Sequence, residues 1–221
     1  YAEGPQTQPA WLDQPDCWGL LAMASIYGIW RPAEYKFYVT AMHPDRISLG
    51  IRTGRENYVW GRIPHGLRIG QSELGQFSAW LMAKTFHESD ESSLCKQLVD
   101  AFDPAPPAWL HNVGCLPILL ALTAAKDSHL KRVFFSVHVR PSGTAIKFSV
   151  PSDCPSPLCQ NGPQLEAEMA WVHDVDVASA VQDLANWWVA VRRRISPSGD
   201  WTVCIANAQG TAHVNVSDID A

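Results

Sequence analysis

The side chains able to do chemistry in this chain are few and far apart. Six cysteines stand at positions 17, 95, 115, 154, 159 and 204, most of them inside apolar runs. A thiolate attacks carbonyls and binds metals, but a thiol set among apolar residues is more often reduced, inert core. Cys154 and Cys159 are the only close pair. Neither a second pair nor a histidine cluster accompanies them, so no metal site is expected. Arg192-Arg193-Arg194 is the only dense basic run. It could meet nucleic-acid phosphates or an acidic partner. A solvated strand face, with the arginine stems covering apolar surface, is the preferred reading. His138 and His173 fall in strand-like stretches and read as satisfied core or interface residues. No glycine-rich phosphate loop occurs, Ser142-Gly143 and Ser198-Gly199 read as turns, and no cofactor is expected. Asn215-Val216-Ser217 fits a glycosylation acceptor that an intracellular protein would leave unused.

The elements that must position these residues read mostly as strands. In residues 184–208, LANWWVAVRRRISPSGDWTVCIANA, Trp187, Val189, Val191 and Ile195 fall on alternate positions, the period of a half-buried strand. The turn formers of residues 196–200 follow, and Trp201, Val203 and Ile205 resume the alternation, which predicts a long hairpin. Upstream, strands are expected at 35–41, 47–51, 58–60, 76–86, 114–123, 132–139, 144–150 and 169–177. The run 114–123, GCLPILLALT, is apolar on both faces, as a central strand would be, and the longest apolar run, 116–125, which contains Pro117, reads as a buried strand or a short helix. Helices are otherwise expected only at 17–28, capped by Asp16 and ended by Pro32, and at 93–102.

With 221 residues, 47% of them hydrophobic and 18% charged, the chain can bury a substantial core. The net charge of −5 argues against a general nucleic-acid or anionic-membrane binder. No apolar run approaches the roughly 20 residues of a membrane helix. Residues 1–16 form a Pro/Gln-rich, acidic arm, 17–210 a single domain and 211–221 a tail. Against that single domain stands a short repeat. PAWL occurs at 9–12 and again at 107–110, each time with a Cys five residues after the Leu. A duplication, 9–106 and 107–221, would give two units of about 100 residues.

About eight strands with long uneven loops predict an all-β fold, an eight-stranded antiparallel jelly-roll sandwich with short helices in the connections. Four stretches resemble coat proteins of picorna-like plant viruses of the comovirus type: IYGIWRPAEYKFYV, GCLPILLALT, TAIKFSVPSDCPSP and NWWVAVRRRISPSGDWTVCIANAQGTAHVNV. The resemblance implies a structural, non-enzymatic subunit of an icosahedral virion, released from a polyprotein, as a first residue other than Met would suit. Its partners would be other coat subunits and genomic RNA, with Arg192, Arg193 and Arg194 as the candidate RNA contacts and no membrane. Ten Trp, too many for one core of this size, would anchor subunit contacts.

A second resemblance points to catalysis. Asp16-Cys17-Trp18-Gly19-Leu20-Leu21 resembles the nucleophile motif of NlpC/P60-type and viral papain-like cysteine peptidases. It implies a Cys17 thiolate stabilised by a helix N-terminus, His213 as base, Asp218 or Asp220 orienting it, and Gln14 near the oxyanion. The separation of Cys17 and His213 is longer than those families usually show, and the non-enzymatic reading is preferred.

Overall fold

In the computed structural model, residues 7–30, 36–43, 46–53, 57–63, 69–83, 90–151, 163–199, 201–207 and 210–214 are described. Two 3-10 turns (Ala10–Asp13 and Pro15–Cys17) lead into helix α1 (Trp18–Ile29). Strands β1 (Lys36–His43), β2 (Arg46–Thr53) and β3 (Asn57–Arg62) follow, then helices α2 (Gln71–Met82) and α3 (Glu91–Asp100). The second half opens the same way. Two more 3-10 turns (Ala108–His111 and Val113–Cys115) enter α4 (Leu116–Lys126), followed by β4 (Arg132–Arg140), β5 (Gly143–Val150) and β6 (Leu165–Ala170). The long helix α5 (Val177–Ile195) then crosses to β7 (Thr202–Asn207) and β8 (Gly210–Val214).

All eight strands lie in one sheet, in the order β1-β2-β3-β6-β5-β4-β7-β8. Neighbours are antiparallel except β4 and β7, which run parallel. The chain is therefore mixed α/β, a single mixed sheet with helices packed on it, and not an all-β jelly-roll sandwich. The likeness to coat subunits drew on that strand order as well as on the four resembling stretches, and the strand-order part is removed.

Three stretches expected as strands are helices, each for a visible reason. In α5, Trp187, Val189 and Val191 do alternate. However, Ala180, Val181, Leu184, Ala185, Trp188 and Val191 also recur at three- and four-residue steps, and all of these are buried. The Asp176 carboxylate accepts the Ser179 N–H at 2.9 Å and caps the helix start, and Pro197 follows its end. In α4, every residue from Leu116 to Leu122 is buried, so no period marks it as helix. Residues 76–86, read as a strand, fall largely in α2. The hairpin of β4 and β5 forms as expected, with Gly143 at φ 135° supplying the turn. The ten Trp are also accommodated, four buried and six partly buried, with none fully exposed.

One face of the sheet is apolar. Leu49 and Ile51, Val59, Leu165, Ala167 and Met169, Ile146, Phe148 and Val150, Val133 and Phe135, and Val203 share it by register, and all are buried. Helix α1 packs on β3 and β2, α4 on β6 and β3, and α5 across β4, β5 and β7. At Gly61 the approach of α1 is so close that a Cβ would fall on the Gly19 carbonyl oxygen and the Met23 side chain. Because the obstacle is backbone, Gly61→Ala is expected to cost about 2–3 kcal/mol, read as a lower denaturant midpoint with unchanged slope.

The halves are related by a pseudo-twofold axis. Where β3 and β6 pair, Val59 faces Ala167, and the flanking pairs Tyr58–Glu168 and Trp60–Glu166 exchange under the same operation. The repeated PAWL heads each unit. Leu12 N–H reaches Pro9 O at 3.0 Å and Leu110 N–H reaches Pro107 O at 2.9 Å. Cys17 N–H reaches Gln14 O, and Cys115 N–H reaches Asn112 O, both at 2.8 Å. Leu12, Leu110, Cys17 and Cys115 are all fully buried.

Candidate active site

Each repeat delivers a cysteine to the start of a buried helix, but the two cysteines have different neighbours. In the second unit, the 3-10 turn after Pro107 sets Trp109 over the chain, and Asn112 caps the next turn by accepting the Gly114 N–H at 2.8 Å. Cys115 then stands at the N-cap of α4, with Pro117 in the first turn, where the missing N–H costs nothing. Further along the same unit, β6 ends at Ala170 and the chain turns through residues 171–176 into α5. The Trp171 backbone N–H bonds to Thr144 O at 2.7 Å and its indole N–H to Val175 O at 3.0 Å, so both ends of that turn are pinned.

This turn brings His173 to the thiol. Nε2 of His173 lies 3.7 Å from Cys115 Sγ, within reach of a sulfur hydrogen bond. The thiol proton has two acceptors at hand, this nitrogen and the Trp109 carbonyl oxygen at 3.4 Å. Three rings form the surroundings. Trp109 and Trp171 meet edge to face with centroids 5.0 Å apart, and His173 lies 4.9 Å from Trp171 and 6.2 Å from Trp109. The Trp109 indole N–H is buried and without a hydrogen-bond partner, a costly condition for a donor. Trp11, its counterpart in the first unit, carries the same unpaired N–H.

Burial pushes the Cys115 thiol up to about 12, with nearby Cys95 adding to the rise and the Asn112 backbone drawing it back. At rest, Cys115 is a thiol. Its sulfur is fully buried while His173 is half-exposed. Val172 and Val175 lie on the same turn as His173, 78% and 44% exposed, and leave apolar surface beside it.

The residues singled out from sequence fall elsewhere. Cys17 is buried and pushed up to about 12 by burial and by Asp16, and among the described residues no imidazole bonds to it. His213 lies on β8, opposite Cys204 in the register. Cys17 sits beside α1, which packs over β2, β3 and β6. β8 is four strand spacings from β6, about 19 Å, so Cys17 and His213 do not meet. Asp218, Asp220, Cys154, Cys159 and the 215–217 acceptor lie outside the described residues. Gln14 caps the turn before Cys17 and offers no side-chain cap bond.

Arg192, Arg193 and Arg194 form the last turn of α5 and not a strand face. Arg192 is buried, its guanidinium donating to the carbonyls of Lys126 at 2.6 Å, Ser128 at 3.0 Å and Leu130 at 3.3 Å. It ties the α4–β4 connection to α5. Arg194 pairs with Asp103. Among the described residues no group of three or more His, Cys, Asp or Glu could hold a metal, and no helix is long and apolar enough to cross a membrane.

The opposite sheet face holds a second polar cluster on the pseudo-twofold axis. Tyr58 Oη donates at 2.5 Å to Glu166 and lies 3.1 Å from Glu168, while Lys147 pairs with Glu166 at 2.8 Å. Arg140 lies against Glu168 Oε1 as an ion pair not aligned for a hydrogen bond, and His138 is 3.9 Å from the same carboxylate. Burial holds His138 below its ordinary value, reinforced by Lys147. Each carboxylate has a cation and the tyrosine, which makes this cluster a polar seam joining β3 to β6.

Cys115, His173, Trp109 and Trp171 were missed as a group. The signal was the repeat itself: whatever Cys17 suggested, the second PAWL offered again at Cys115. His65 stands three residues past the end of β3, as His173 stands three past β6, but it lies outside the described residues. No protein-family model, no curated protein and no solved structure matches this chain.

Proposed function

We propose that this chain is a cysteine-dependent acyl-transfer enzyme of the peptidase or amidase type, with Cys115 as nucleophile and His173 as its base. The observation that carries this reading is the 3.7 Å approach of His173 Nε2 to Cys115 Sγ at the head of α4. A buried thiol is a poor nucleophile until a base takes its proton, and the imidazole is placed to do so. As the proton moves from sulfur to Nε2, the sulfur bonds to the substrate's carbonyl carbon and the carbonyl π pair moves onto oxygen. Collapse expels the amine or alcohol, which takes the proton back from His173. Water, deprotonated by the same imidazole, then cleaves the thioester.

The helix start adds its partial positive charge near the developing anion. The unpaired Trp109 N–H is a buried donor available to an incoming oxygen. No corresponding pair supports Cys17 among the described residues, and Cys17 is fully buried. A shell subunit remains without the sandwich that helped to suggest it.

The test is covalent labelling. An electrophilic peptide probe with an apolar side chain next to its warhead is incubated with the protein, and the modified residue is mapped by mass spectrometry. Labelling is expected at Cys115 in the wild type and in Cys17→Ala, and to vanish in Cys115→Ala. Labelling that follows Cys17 would overturn the assignment, and so would equal reaction of all the cysteines only on unfolding.

A further inference from the structure

A half-exposed base that receives a proton becomes a cation stabilised by what its ring touches as well as by water. Among the described residues no carboxylate bonds to His173. What lies against its ring is aromatic: the Trp171 indole at 4.9 Å with a 59° tilt, and the Trp109 indole at 6.2 Å with a 50° tilt. The Trp171 ring falls within the roughly 6 Å over which a cation is attracted to an aromatic ring, and Trp109 lies just beyond it, behind Trp171. Trp171 is itself fixed, by its backbone N–H to Thr144 O, by its indole N–H to Val175 O, and by its edge-to-face contact with Trp109.

We propose that Trp171, backed by Trp109, is the positioning residue for His173: it holds the imidazole against Cys115, and its ring face stabilises the imidazolium formed when the thiol proton transfers. This deepens the Cys115–His173 reading and rests on it. The other titratable groups around the pair are accounted for. Cys95 on α3 donates to His111 O at 3.4 Å, and His111 has its Nε2 on Pro106 O at 3.2 Å. Asp176 is engaged in capping Ser179, and Asp174 is exposed on the same turn as His173. None of these takes the place of the indoles.

A ring against the imidazole favours the imidazolium that accepts the thiol proton. Removing that ring should therefore do two things together. The reaction rate on the high-pH plateau should fall, and the acid limb of the profile should move to lower pH. A residue that only held shape would lower the rate and leave the limb in place.

The experiment is site-resolved alkylation of Cys115 by iodoacetamide across pH. In that reaction the sulfur–carbon bond forms, iodide leaves and the thiol proton passes to His173. The proteins compared are the wild type, Trp171→Leu, Trp171→Phe and wild type grown with ring-fluorinated tryptophan, which keeps the ring and weakens its face. Trp171→Leu is expected to lower the plateau about tenfold with the acid limb displaced to lower pH. Trp171→Phe should recover to within about threefold, and the fluorinated protein should shift in the direction of the leucine variant. If Trp171→Leu does not fold, the fluorinated protein carries the test alone. An acid limb unmoved in the leucine variant, or in the fluorinated protein where that stands alone, overturns the inference while leaving the Cys115–His173 pair intact. A wild-type profile with no plateau, climbing with pH as an isolated thiol does, overturns both.

Discussion

His173→Ala is expected to slow the reaction of Cys115 with a carbonyl or alkylating reagent by at least about 100-fold at neutral pH. The reason lies in the burial of the sulfur. A thiol pushed up to about 12 offers almost no thiolate in neutral solution, so its reactivity depends on the one base at contact distance. The shape of the pH profile carries the same information. The wild-type rate should level off at a plateau as pH rises. The alanine variant should keep climbing about tenfold per pH unit into the alkaline range, following the thiolate alone. An unchanged thermal midpoint in the variant would show that the loss is chemical. Equal rates and parallel profiles in the two proteins would leave Cys115 an ordinary core thiol.

Lys147→Met carries the largest expected effect on stability. Glu166 is nearly buried, and burial alone would raise its carboxyl. The hydrogen bonds from Lys147 and Tyr58 outweigh that rise and hold it below its ordinary value near 4.5. Since its folded value is depressed, its contribution is fully present above about 4.5 and is lost as pH falls through the folded value. Taking away the ammonium leaves a buried carboxylate short of its main partner, at a cost of about 3–5 kcal/mol at neutral pH. Burial then dominates, the carboxyl rises, and the deficit against the wild type should narrow as the solution is acidified. Adding Glu166→Gln should recover most of the loss. Urea titrations at neutral and mildly acidic pH measure both effects. A variant whose deficit is the same at each pH would show that the ion pair is not what holds the seam.

The parts of the fold that sequence made legible are those governed by local chemistry. The pair β4 and β5 alternates cleanly around Pro141-Ser142-Gly143, and β1 pairs with β2 where strands were expected, so these strands could be read from period and the β4–β5 turn from its turn residues. The helices were concealed by their own burial. α4 is surrounded on all sides and shows no polar face, and the start signal it does carry is Pro117 in its first turn. α5 satisfies two periods at once, and its Trp187-Trp188-Val189 core favours the strand reading on residue preference. The capping Asp176 and the three-residue step to Ser179 were the available correctives.

The site was less legible than the fold. Cys115 and His173 are 58 residues apart, and what joins them is the pairing of β6 with β5 and the pinning of Trp171 to Thr144, neither of which leaves a local mark. The repeated PAWL was visible. Its use depended on knowing that β3 and β6 meet at a pseudo-twofold axis, and only the sheet register reveals that.

The most direct test of a Cys115 nucleophile uses a small activated ester, because the buried sulfur admits a small acyl group more readily than a bulky one. The protein is mixed with p-nitrophenyl acetate at neutral pH, quenched in acid within seconds and digested for mass spectrometry. The expected result is one acetyl group on Cys115, accumulating in the wild type and in Cys17→Ala and absent from His173→Ala, then disappearing as the thioester hydrolyses. An acetyl group found on Cys17 or on surface lysines, with Cys115 unmodified in the folded protein, would contradict it.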